Sequence, residues 1–75
     1  MTELETLTAK LARARAGEHL RMARLLHAYL QTITDDDFRR QVSQAKNIKV
    51  FSYLLAAGLS QTRQDIISER ARELS

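Results

Sequence analysis

Val50-Phe51-Ser52-Tyr53-Leu54-Leu55-Ala56-Ala57-Gly58-Leu59-Ser60 is the stretch on which the reading of this chain turns. Residues 50–57 are apolar around the whole circumference of a helix, the pattern of an element enclosed by its neighbours or by a second subunit. Gly58 suits the position just past a helix end, and Ser60 suits the cap of a helix that follows. The stretch therefore predicts two helices meeting at a short turn, with the first of them at the centre of the fold. A buried strand over residues 48–55 is the competing reading, because the run is β-branched and aromatic at its start.

Downstream of the turn, a final helix is expected from Gln61 to Leu74. Ile67, Ala71 and Leu74 form its core stripe, and Asp65, Glu69 and Glu73 lie opposite at helical spacing. Upstream, Thr34-Asp35-Asp36-Asp37 reads as a helix start, with a threonine hydroxyl to cap free amides and three carboxylates to meet the positive end of the dipole. The acidic triplet is thus a cap rather than a site. Phe38, Val42 and Ala45 share one face of that helix. Ile48, Phe51 and Leu55 fall roughly 100° away on a continuous helix, so the phase slips near Asn47. Asparagine tolerates the left-handed conformation that ends helices, which predicts a bend or a short break there.

From Glu18 to Ile33 the residues Met22, Leu26, Tyr29, Leu30 and Ile33 make the clearest amphipathic stripe. The first segment, Thr2 to Ala16, aligns Leu4, Leu7, Leu11 and Ala14, and Gly17 is expected to end or kink it. Proline is absent, and there are only two glycines, so few breakers interrupt the chain. The expectation is an all-α fold, a small bundle of four or five helices forming one domain over residues 1–75.

Ten of the 33 hydrophobic residues are alanine, which leaves a thin core for 75 residues. Without cysteine there is no disulfide framework and no thiolate metal site, and a chain this short then commonly gains stability by self-association. A homodimer built on Val50 to Ala57 is expected for that reason. No apolar run approaches the roughly 18 residues of a membrane span, and Met1-Thr2-Glu3-Leu4-Glu5 lacks the basic and apolar segments of a signal peptide. The expected location is the cytoplasm, with no membrane partner.

Catalysis has little to draw on. There is no phosphate-binding glycine loop, no His-Glu-x-x-His pair and no nucleophile elbow. His19 and His27 fall about 80° apart on one helix and do not readily chelate one ion. No enzyme activity, metal or cofactor is expected. The charge balance, 12 Lys plus Arg against 9 Asp plus Glu, gives a formal +3, which on its own is weak support for a nucleic-acid partner.

The placement of polar residues is more informative. Gln61, Thr62, Arg63 and Gln64 open the final helix directly after the turn, and these side chains are chemically suited to base edges, glutamine to adenine and arginine to guanine. Ser60 and the free amides beside it suit a phosphate, as do Arg39 and Lys49 on the helix before. Residues 46–57, the turn and residues 61–74 together resemble the helix-turn-helix of DNA-binding proteins, which implies a second helix inserted in the major groove. Leu54 and Gln64 depart from that motif, which favours a small residue four positions before the glycine and an apolar one six after it. A small DNA-binding regulator of transcription is therefore the leading expectation. The alternative is a helical adaptor or inhibitor that binds another protein through exposed faces carrying Phe51, Tyr53, Leu54, Ile66 and Arg70. Arg63 and Arg70, seven residues apart, either lay their stems over apolar surface with their heads in solvent or join Ile66 in a contact surface.

Overall fold

A computed structural model of the chain describes residues 2–74. Five helices follow in order: α1 (Glu3–Arg13), α2 (Ala16–Thr32), α3 (Asp35–Gln44), α4 (Lys49–Leu55) and α5 (Gln61–Leu74). No strand occurs among the described residues, so the apolar run at 48–55 is helical. The packing follows from the stripes. α1 lies against α2, α3 and α4, and α5 crosses α3 and α4. One buried cluster draws on every helix, with Leu4 and Leu11 from α1, Leu26 and Leu30 from α2, Phe38 and Val42 from α3, Val50, Phe51 and Leu54 from α4, and Ile66 and Ile67 from α5.

The helix starts are set locally. Thr2 and Glu5 close a capping box at α1, and the Thr34 hydroxyl accepts the Asp37 amide at 3.1 Å at the start of α3. Gly58 adopts φ +75°, the left-handed conformation that an L side chain resists, and the Ser60 hydroxyl accepts the Arg63 amide at 3.4 Å. The turn between α4 and α5 is thus built from the two residues expected to build it.

The position of the first break, the means by which the expected break at Asn47 is made and the burial of α4 differ from expectation. The first break falls at Ala14 and Arg15, both extended, while Gly17 lies inside the first turn of α2. Neither residue carries a stop signal, so the packing of α1 on α2 sets that corner. Near Asn47 the helix breaks outright between Gln44 and Lys49. No residue other than glycine has a positive φ among the described residues, so the left-handed route is not used. Asn47 acts through its side chain, whose Oδ1 accepts the Lys49 amide at 3.0 Å. In α4 the buried set is Val50, Phe51 and Leu54, whereas Ile48 and Leu55 stay half exposed. Seven residues between α1 and α5 offer one covered side, not a whole circumference.

Two polar residues are buried, and one of them ties helices together. Gln41 on α3 accepts the Leu4 amide through Oε1 at 3.1 Å and donates from Nε2 to the Tyr29 hydroxyl at 2.8 Å. It therefore joins α1, α2 and α3. Thr8 satisfies its buried hydroxyl by donating to the Leu4 carbonyl at 2.8 Å.

Candidate functional site

The start of α5 holds the residues expected to read bases, and most of them are engaged within the fold. The Arg63 guanidinium donates from Nη1 to the Leu30 carbonyl and from Nη2 to the Ile33 carbonyl, each at 2.7 Å, and from Nε to Asp35 Oδ1 at 2.8 Å. It also lies 5.0 Å from the centroid of the Phe38 ring. Only 14% of its side chain is exposed. A guanidinium so placed satisfies the last carbonyls of α2 and neutralises the first carboxylate of α3, which engages three of its five N–H donors within the fold.

Its neighbours divide. Gln64 donates to the Leu59 carbonyl at 2.8 Å, and Gln61 donates to Asp65 Oδ1 at 2.9 Å on the surface. Ser60 is occupied as the cap. Thr62 is exposed, as are Arg39 and Lys49 on α3 and α4.

Arg70 repeats the behaviour of Arg63 seven residues on. Its Nε and Nη2 donate to the Ala45 carbonyl at 3.3 and 3.2 Å, and Nη1 pairs with Glu73 Oε2 at 3.0 Å. Ile33 and Ala45 are the C-caps of α2 and α3. The two aligned arginines of α5 thus close the negative ends of two other helices, instead of covering apolar surface with their heads in solvent or forming a contact surface with Ile66. Phe51, Leu54 and Ile66 are 3%, 0% and 6% exposed. Of the residues expected to contact a partner protein, those three are taken into the core, Arg70 is held by Ala45 and Glu73, and Tyr53 remains half-buried. Of the segment on which the dimer expectation rests, Val50, Phe51 and Leu54 are buried within one chain, whereas Tyr53 is half-buried and Leu55 is 48% exposed.

Both histidines are exposed. His27 donates from Nδ1 to the Ala57 carbonyl at 3.2 Å, so it secures the α4–α5 turn. No group of three or more His, Asp or Glu side chains suited to a metal occurs among the described residues. No described helix is long and apolar enough to cross a membrane.

No family model, curated protein or solved structure matches this chain.

The surface itself then directs attention to α2. Its inner stripe, Leu26 and Leu30 with Met22 and Tyr29, packs into the bundle, and its outer face carries Leu20 at 61% and Leu25 at 46% exposure. These leucines flank Gly17, Arg21, Arg24 and Ala28 along one groove. The stripe read from the sequence, Met22, Leu26, Tyr29, Leu30 and Ile33, describes only the inner side of α2. What it missed was a second apolar element on a helix already provided with a core stripe. The spacing of Leu20 and Leu25, both off the inner stripe, was the available signal.

Proposed function

We propose that this chain is a non-enzymatic adaptor or inhibitor that binds a partner protein through the outer face of α2. The observation that carries this reading is the exposure of Leu20 and Leu25 on either side of Arg21 and Arg24, on a helix whose other side already packs the core. Leucine left in water on a folded surface gains by burial, at about 25 cal/mol per Å² of apolar area covered. Arginine is enriched in protein interfaces because its planar head and long stem serve both polar and apolar contact.

DNA binding through Ser60, Gln61, Thr62, Arg63 and Gln64 is less well supported. That reading needs the Arg63 head free, and the fold already uses all three of its nitrogens.

Affinity capture from cell extract separates the two, run with wild-type protein and a Leu20→Asp/Leu25→Asp variant, each with and without nuclease. Protein binding through α2 predicts partners that survive nuclease and are lost in the variant. Capture that disappears with nuclease, or that the leucine changes leave untouched, would overturn the proposal. A direct arm is fluorescence anisotropy on genomic duplex fragments: salt-sensitive binding below about 100 μM, within the range of ordinary non-specific affinity, would restore the DNA reading.

A further inference from the structure

We infer that the partner segment seated on α2 is acidic: an amphipathic stretch that places carboxylates against Arg21 and Arg24 and apolar side chains against Leu20 and Leu25. This inference rests on the protein-binding reading of α2 and adds the chemistry of the partner. The argument is charge complementarity. Five cations, Lys10, Arg13, Arg15, Arg21 and Arg24, and one acid, Glu18, lie between Lys10 and Arg24. That local excess is larger than the +3 of the whole chain, so the remainder carries a slight net negative charge. All five cations are exposed, and none forms an ion pair among the described residues. Elsewhere Arg40 pairs with Asp37, Arg63 with Asp35 and Arg70 with Glu73, while Arg39, Lys46 and Lys49 are exposed but do not form so dense a group along the chain. The segment from Lys10 to Arg24 therefore carries a net charge of +4, with Arg21 and Arg24 set directly between Leu20 and Leu25, and such a field both steers and orients an acidic partner.

The other occupants fit less well. A second copy related by a two-fold axis through this face would set the arginines of one α2 against those of the other, and like charges in contact are repulsive. A bilayer surface would be met by a broad apolar face, and the broad apolar face of α2 is turned inward on Leu26 and Leu30. Nucleic acid would satisfy the arginines but leave Leu20 and Leu25 without apolar contact.

The test uses the full chain, labelled with nitrogen-15, and a 16-residue helical peptide bearing leucines at helical spacing flanked by glutamates. The control is the same peptide with lysine in place of each glutamate. The acidic peptide should shift the amide signals from Leu20 to Ala28 with a Kd at or below about 1 mM. Raising salt from 0.1 to 0.5 M should weaken it about fivefold or more, and Arg21→Glu with Arg24→Glu about tenfold or more, with the melting temperature unchanged. Absence of shifts, shifts confined to another face, or equal binding of the lysine peptide would overturn the inference. Tighter binding of a 20-base-pair duplex or of phosphatidylserine vesicles through the same residues would overturn it too and reassign the face. The extract capture described above distinguishes the two levels. Partners lost with Leu20→Asp/Leu25→Asp but retained by the arginine reversals leave the protein-binding reading standing and remove the acidic partner.

Discussion

Arg63 on α5 reaches Asp35 at the start of α3 with a 2.8 Å contact from Nε to Oδ1, across 28 residues of sequence. The same head closes the Leu30 and Ile33 carbonyls, so one side chain fastens the α2–α3 junction to α5. Asp35 is more than half exposed, so the ion pair alone contributes little. The carbonyl contacts carry the greater share.

Arg63→Ala should therefore destabilise the fold by about 2–3 kcal/mol, since it strips charge-assisted hydrogen bonds from a helix C-terminus. For a chain of this size that corresponds to a drop in Tm of roughly 10–20 °C, read by circular dichroism. Arg63→Lys should recover only part of it, because one ammonium cannot span both carbonyls and the carboxylate in a planar fork. A base-reading role for Arg63 predicts the opposite, an unchanged melt.

Gln41 gives a second stability prediction. Replacing it with alanine leaves the buried Leu4 amide without its acceptor and takes the Tyr29 hydroxyl's donor away. The cost should be about 1–3 kcal/mol in urea unfolding. Tyr29→Phe, which removes only the half-buried end of the link, should cost less. Equal effects would mean that the Leu4 contact contributes nothing.

How far the fold could be read in advance depended on how local its causes are. Thr34 and Ser60 act on amides three residues on and Gly58 acts through its own φ, and the structure uses each as its residue type suggests. The stripes of α2, α3 and α5 also follow from spacing, with Leu26, Leu30, Phe38, Val42 and Ile67 all buried. The corner at Ala14 and Arg15 has no such local cause. Arg63 and Arg70 were the hardest to read, because a sequence gives their alignment on α5 but not that carbonyls of α2 and α3 end beneath them. For that reason Arg63 looked like a free donor at a helix start. The outer leucines of α2 were legible as residues off the stripe, yet only their exposure in the packed bundle separates a contact face from core margin.

Phe51 tests the oligomeric state. Its ring is buried inside one chain, among Val50, Leu54 and the stripes of the other helices. Phe51→Ala should cost about 3–5 kcal/mol through the cavity it leaves. The loss should be independent of protein concentration, since the space that the ring leaves lies inside one chain. Melts of the wild type from 5 to 200 μM should superimpose. A Tm that climbs with concentration would return the chain to the dimer first expected of it, because association stabilises by mass action.

The two glycines supply a contrast in which sequence and structure give different answers. Taken as a stop signal, Gly17 should resist substitution as much as Gly58 does. In the fold Gly17 is helical, and a Cβ added there meets nothing within 4 Å, whereas Gly58 has equally open space but φ +75°. Gly17→Ala should thus stabilise the protein by about 0.5–1 kcal/mol, the usual gain when an exposed helical glycine becomes alanine. Gly58→Ala should cost about 1–2 kcal/mol from backbone conformation alone, with no clash to relieve. Gly58→Asn should cost less than Gly58→Ala, because asparagine enters the left-handed region more readily. Parallel urea titrations of the three variants decide the matter. If Gly17→Ala destabilised the chain, the first turn of α2 would have to be broken in solution where it is helical here.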